Sequence, residues 1–231
     1  MSVVLSIVIP AYNEERFIGT LLEQIRAVDL ARLGVTSQVI VVDDHSSDRT
    51  PDIVRGFPEV IFERLPKNGG KGQAVRRGMA LATGDYLIIQ DADLEYEPQD
   101  YLPMMEAILN RRGDVIYGSR YMNGGRHPGQ SIAAYLGGRS LSLVGYLSTG
   151  TWLTDTVTAL KLFPRDLLPS LRLETSGFEL DHEITAKVLA RGLRIVEVPV
   201  SYHPRTREEG KKIGMRDWFI GARTFWKFRR G

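Results

Sequence analysis

Acidic residues stand where apolar runs stop. Residues 87–90 lead into Asp91-Ala92-Asp93, and residues 38–42 lead into Asp43-Asp44. In open α/β sheets, ligands bind beyond the carboxyl ends of strands, so their position gives these acids their interest. Carboxylates spaced i, i+2 past a buried strand can converge on a hard divalent cation. Mg²⁺ or Mn²⁺ typically joins one or two such groups to a substrate's phosphates. The plain alternative is that each Asp caps a turn. Asn68-Gly69-Gly70-Lys71-Gly72 precedes a helical segment, an arrangement that suits anion binding by backbone N–H groups or serves as a flexible connection. It is neither the G-x-x-x-x-G-K-[ST] loop nor the G-x-G-x-x-G fingerprint, which argues against the common NTPase and dehydrogenase classes. His45, His127, His182 and His203 lack zinc-like spacing, and no G-x-S-x-G elbow occurs. With no cysteine in the chain, disulfides, thiolate metal sites and Cys nucleophiles are excluded.

The elements that must position these residues follow from periodicity. Short apolar runs at 5–9, 38–42, 60–64, 85–89 and 115–118 alternate with segments of helical period, the pattern of a mostly parallel sheet covered by helices. Phe17, Ile18, Leu21, Leu22, Ile25 and Val28 form one helical stripe, with Asn13 as the expected N-cap. Residues 46–51 read as a turn opening a second helix, and 73–82 and 101–110 supply two more. Residues 121–154 are Gly-rich with scattered Ser and Thr, and read as the least regular stretch. A strand at 158–163, a helix at 177–191 stopped by Gly192, a strand at 195–202 and an aromatic-rich amphipathic helix at 215–228 complete the chain. The expected organisation is one α/β domain over 1–213 and a C-terminal basic helix over 214–231.

The 231 residues, 43% hydrophobic and 25% charged, describe a globular chain rather than a disordered or fibrous one. The first ten residues carry no basic n-region, and the apolar runs fall far short of the ~20 residues a membrane span needs. The expected location is therefore cytoplasmic. The formal charge of +2 hides an asymmetry: residues 201–231 hold nine Lys/Arg against three Asp/Glu. That end expects an anionic partner, whether phosphate, nucleic acid or lipid headgroup.

Four motifs in order carry a resemblance: Ser6-Ile7-Val8-Ile9-Pro10-Ala11-Tyr12-Asn13-Glu14-Glu15, Val41-Val42-Asp43-Asp44-His45-Ser46-Ser47-Asp48, Asn68-Gly69-Gly70-Lys71-Gly72 and Asp91-Ala92-Asp93-Leu94. Together they resemble family 2 glycosyltransferases with the GT-A fold. Gly118-Ser119-Arg120-Tyr121 and the basic run from Arg205 to Lys212 resemble the dolichyl-phosphate mannose synthase and polyprenyl-phosphate glycosyltransferase branch. The resemblance implies that Pro10, Tyr12, Glu14, Val42 and Asp44 hold the nucleotide base and ribose. It places Asp91 and Asp93, with Ala92 between them, at the metal and diphosphate motif, with Mg²⁺ or Mn²⁺ as cofactor. Glu95, where relatives often have Gln, becomes a third metal ligand. Lys71, Arg120, Arg139, Arg205 and Lys211 become phosphate-gripping residues, and Asp93 and Asp181 the catalytic acids.

The implied reaction moves a hexose, mannose or glucose, from a GDP- or UDP-linked donor to polyprenyl phosphate, with inversion and without a nucleic-acid partner. Its expected place is peripheral, on the cytoplasmic face of a membrane, through the C-terminal helix. Asp181 matches the position of an acidic base in relatives that use a hydroxyl acceptor, so a saccharide or small-molecule hydroxyl is the alternative; Asp181 otherwise complements a helix dipole. An inactive nucleotide-sugar-binding module is the remaining reading. Met215, Trp218, Phe219, Ala222, Phe225 and Trp226 form a stripe that suits a membrane interface or the domain's own core.

Overall fold

A computed structural model of the chain describes residues 2–205 and 214–230. Among them, seven strands form one sheet: β1 (Val3–Ala11), β2 (Val35–Asp43), β3 (Ile61–Arg64), β4 (Tyr86–Ile89), β5 (Val115–Ser119), β6 (Lys161–Pro164) and β7 (Ile195–Pro199). Their spatial order is β3-β2-β1-β4-β6-β5-β7. β1 pairs in parallel with β2 and β4, β2 with β3, and β5 with β7, whereas β6 runs antiparallel between β4 and β5. A strand forms in each segment expected from the sequence, although the one expected at 158–163 begins only at Lys161 and the one expected at 195–202 ends at Pro199. The helices are α1 (Ile18–Arg26), α2 (Thr50–Arg55), α3 (Lys71–Leu81), α4 (Tyr101–Leu109), α5 (Ile132–Thr149), α6 (Leu167–Ser170), α7 (Leu180–Ala190) and α8 (Met215–Phe228).

The central strands read as continuous apolar runs because both faces are covered. Side chains still alternate: Leu5, Ile7 and Ile9 enter one core with α1 and α4, and Val8, with Ile40, Val42, Leu87 and Ile89, enters a second core that includes residues of α3 and α7. Parallel pairing of β1 with β2 and β4 brings the ends of three strands, and the acidic residues that follow them, to one edge.

Two expectations need correction. Asn13 does not cap α1, whose N-cap position is Phe17. Its carboxamide instead accepts from Ser47 N at 2.8 Å, stitching the β1 loop to the β2 loop. Within 121–154, α5 spans 18 residues and is capped by Ser131 Oγ accepting from Ala134 N at 3.1 Å. Its helical period escapes a sequence reading because Gly137, Gly138 and Gly145 weaken its propensity, and because Ile132, Leu136, Leu143 and Leu147 face outward. Gly192 follows α7 with φ 71°, the left-handed stop the sequence called for.

α8 divides its aromatic stripe between two faces. Phe225 and Phe228 are buried, and the Phe225 ring stacks on His182 of α7 at 5.1 Å, whereas Met215, Phe219 and Trp226 are 60–78% exposed. Trp218 Nε1 also donates to Ser140 Oγ of α5 at 2.9 Å.

Candidate active site

The chain turns sharply after β1, β2 and β4, and each turn holds a non-glycine residue at positive φ: Asn13 (56°), His45 (64°) and Leu94 (58°). Such backbone costs about 1–3 kcal/mol at a residue unsuited to it and gathers at functional sites. The β1 and β2 turns are tied together, since Asn13 N donates to Ser46 Oγ and Glu14 N to Thr50 Oγ1, both at 2.9 Å. Pro10 and Val42, paired in register, are buried below them. The Tyr12 side chain stands 41% exposed at the mouth.

Asp44 and the glycine loop meet directly. Its two carboxylate oxygens accept from Gly69 N and Gly70 N, each at 2.7 Å. The backbone donors that suited an external anion therefore hold the chain's own carboxylate, and Asp44 fixes the loop that presents Lys71. A side chain at Gly72 would meet the backbone of Thr175 and Ser176 below 3 Å, and Gly72 N donates to Ser176 O at 2.7 Å. Close approach is what glycine supplies there. The facing loop is pinned by the buried Glu183, which accepts from Glu174 N and Thr175 N at 2.8 Å.

From this loop the Lys71 ammonium reaches Asp91 at 2.8 Å and Asp181 Oδ2 at 3.1 Å. Asp181 Oδ1 lies 2.9 Å from the ammonium of Lys161, whose side chain is 0% exposed. The result is a linear chain of alternating charge, Asp91, Lys71, Asp181, Lys161. Burial alone would raise the Asp181 carboxyl, but the two ammonium groups outweigh it and hold the group at about 2. Burial would likewise lower Lys71, and Asp181 and Asp91 instead hold it above the ordinary lysine value.

A second cluster surrounds Arg205. Its guanidinium is 2.6 Å from Asp93 and 3.5 Å from Glu14, and the backbone N–H of Arg205 donates to Glu95 Oε1 at 2.9 Å. Tyr202 Oη donates to Glu95 Oε2 at 3.0 Å. Burial, followed by the Asp91 and Glu95 carboxylates, pushes Asp93 up to about 7, against the pull of Arg205.

The sequence model described as Glycosyl transferase family 2 matches residues 6–168, which contain both clusters' motif carboxylates. The chain belongs to that family. Among curated relatives, the dolichol-phosphate mannosyltransferase of Pyrococcus furiosus is 31% identical over 215 residues, covering 90% of this chain and 59% of its own. The dolichyl-phosphate hexose transferase of Haloferax volcanii is 30% identical over 204 residues, covering 88% of this chain and 85% of its own. The chain thus spans about three-fifths of the first relative's length. Among solved structures, glucosyl-3-phosphoglycerate synthase from Mycobacterium tuberculosis, in complex with Mn²⁺, uridine diphosphate and glucosyl-3-phosphoglycerate, superposes with a TM-score of 0.70 at 22% identity, covering 90% of this chain and 74% of that one. The fold is the GT-A fold of these transferases.

The other basic residues singled out by sequence are Arg120, Arg139 and Lys211. Arg120 is buried and grips Asp155 through two contacts at 2.6 and 2.8 Å, and Asp155 N and Thr154 in turn donate to Glu197. Arg139 donates to Thr154 O at 2.6 Å, with its guanidinium near the Tyr121 and Trp152 rings. Both bond the protein's own acceptors, and the Arg120 guanidinium also lies 4.9 Å from the centre of the Tyr202 ring, at the margin of the Arg205 cluster. Lys211, with Arg207 and Lys212, lies outside the described residues.

Asp91, Asp93 and Glu95 were expected to converge on a metal. Among the described residues no group of three Asp, Glu, His or Cys is arranged to hold one, and the three carboxylates instead face Lys71, Arg205 and Tyr202. The donor chemistry still suits a hard cation: Asp93 is raised first by burial and then by the neighbouring Asp91 and Glu95 carboxylates, whose mutual repulsion a cation would relieve. Lys161, Asp155 and Glu197 escaped the sequence reading. Lys161 left a signal, a lone charge inside the apolar run Leu160-Lys161-Leu162-Phe163.

Proposed function

We propose that the chain transfers a hexose, mannose or glucose, from a GDP- or UDP-linked donor to polyprenyl or dolichyl phosphate, inverting the anomeric carbon. An acceptor phosphate oxygen attacks that carbon as its bond to the donor diphosphate breaks, and the diphosphate leaves with the electron pair. No proton has to move. The observation that carries this reading is Asp181: each of its oxygens faces a lysine ammonium, at 3.1 and 2.9 Å, and the group is held near pKa 2. A carboxylate so held is a poor general base, which a hydroxyl acceptor requires and an ionised phosphate does not. The names of the Pyrococcus and Haloferax relatives support the same acceptor class.

Asp91 and Asp93, with Glu95 beside them, would hold Mg²⁺ or Mn²⁺, which when bound neutralises charge developing on the leaving diphosphate. Lys71 and Arg205 flank these acids and bring two further cations to the same edge. Tyr12, Glu14, Pro10, Val42 and Asp44 form the nucleoside end. The direct test offers each nucleotide sugar with polyprenyl phosphate or with the corresponding polyprenol. Product from the phosphate alone is expected; equal transfer to the alcohol overturns the acceptor.

The acceptor class also calls for membrane contact. Among the described residues no helix is long and apolar enough to cross a bilayer, so the contact proposed is peripheral, at the cytoplasmic face. α8 exposes Met215, Phe219 and Trp226 and carries Arg216 and Arg223, with Arg229 and Arg230 directly after its end, while α5 exposes Ile132, Leu136, Leu143 and Leu147. Each basic residue near an anionic surface adds roughly 1 kcal/mol of salt-sensitive attraction. Co-sedimentation with phosphatidylglycerol vesicles is expected to weaken with ionic strength and to drop in Phe219→Glu/Trp226→Glu. These exposed positions are the proper probes, because deleting α8 would remove Phe225 and Phe228 from the core. Salt-insensitive binding, equal in both proteins, overturns the proposed contact.

A further inference from the structure

The last cation in this chain of charges poses the sharpest question. Lys161 lies on β6 at 0% exposure, between Leu160 and Leu162, with its ammonium 5.1 Å from the centre of the Tyr117 ring. Its partners are Asp181 Oδ1 at 2.9 Å and the carbonyl oxygen of Thr158. Replacing a buried ion pair with apolar residues of similar volume is often neutral or stabilising, so packing alone gives no reason for a charge at this strand position. The reason lies one residue further along the chain of charges. Asp181 also faces Lys71, and Lys71 also faces Asp91.

We propose that Lys161 is a positioning residue for the donor site, holding Asp181 so that Asp181 shares the Lys71 ammonium rather than capturing it. With Lys161 present, the four groups alternate in sign and balance, and Lys71 remains divided between Asp181 and Asp91, at the edge where the donor diphosphate arrives. Without it, Lys71 is the single cation between two carboxylates, and a diphosphate must compete with both. This rests on the reading that Lys71 meets the donor diphosphate.

The test is calorimetric titration of GDP and UDP, with Mg²⁺, into four variants, Lys161→Met, Asp181→Asn, Lys161→Met/Asp181→Asn and Lys71→Met, alongside donor KM and kcat. Lys161→Met is expected to weaken nucleotide binding about tenfold, the size of a coupling between groups in one ion-pair network. The loss should fall on donor KM and not on acceptor KM. Lys161→Met/Asp181→Asn removes the excess negative charge together with the buried cation, and is expected to return the affinity to within about threefold of the parent. A role in packing alone predicts the reverse, a double variant worse than either single one. Unchanged affinity in folded Lys161→Met, or a double variant that binds more weakly than Lys161→Met, overturns the proposal. Should Lys161→Met fail to fold, the double variant, which buries no unpaired charge at these positions, decides alone: near-parental affinity supports the proposal and a tenfold loss overturns it. Lys71→Met separates the two readings. If it binds nucleotide normally, the donor reading fails; if it binds weakly while Lys161→Met does not, only the role of Lys161 falls.

Discussion

Asp93→Asn is expected to lower kcat/KM by about 10²–10⁴-fold, because a divalent ion contributes several kcal/mol of transition-state stabilisation and each ~1.36 kcal/mol is tenfold in rate. The same substitution should leave the melting temperature unchanged or raise it. Asp93 stands in an acidic neighbourhood, buried and next to Asp91 and Glu95, so a neutral amide relieves repulsion at the cost of the Arg205 ion pair. The amide oxygen still serves as the acceptor for Glu95 N, now 3.2 Å from Asp93 Oδ1. Function and stability therefore separate at this position, as they do where a charge is kept for catalysis rather than folding. Steady-state rates with Mg²⁺ and Mn²⁺, read beside thermal melts, check both halves. Undiminished turnover in the variant, or in the parent protein with EDTA, overturns the metal role assigned to this carboxylate.

The strands were legible because burial on both faces forces unbroken apolar runs. The run Leu87-Ile88-Ile89, rich in β-branched residues and preceded by Gly84, fits a strand buried on both faces. The antiparallel insertion of β6 was not legible, since strand direction leaves no trace in a four-residue segment. α5 was missed for a related reason. The usual helix signal is an inward apolar stripe, and here Leu141, Ser142 and Gly145 face inward while the larger residues face outward. Its polarity is inverted relative to an ordinary surface helix.

The site was legible to the extent that its residues follow strand ends. Asp44, Asp91 and Asp93 are placed by the sheet itself, and a reading of where apolar runs stop finds them. What those groups touch depends on contacts between distant segments. Lys71 meets Asp181 across 110 positions, Arg205 meets Asp93 across 112, and Arg120 meets Asp155 across 35. The resemblance marked Arg120 and Arg205 alike as phosphate-gripping residues. They differ in the carboxylate each faces, Asp155 for Arg120 and the motif residue Asp93 for Arg205, and nothing in the local sequence announces either pairing.

Asp181→Asn is expected to destabilise the fold strongly while sparing most of the chemistry. Removing one partner of a buried ion pair typically costs 3–5 kcal/mol, roughly, because the remaining charge is left uncompensated, and the Lys161 ammonium is in that position. The pH dependence follows from sign. The folded carboxyl titrates near 2, below its ordinary 3.8, so its ion pairs contribute fully above about pH 4 and are lost as pH falls toward 2. The parent protein should lose stability across that window, and the variant, already without the contribution, should show a shallower acid limb. Catalysis supplies the second readout. A general base lost from the site would lower the rate by ~10²–10⁴-fold and erase an ionisation from the pH profile of kcat/KM. With polyprenyl phosphate as acceptor, the variant, assayed below its melting temperature, should retain a rate within about tenfold of the parent and the same profile above pH 5. A loss of base-like size, accompanied by disappearance of an acid limb, would return Asp181 to the role of base and make a hydroxyl the acceptor.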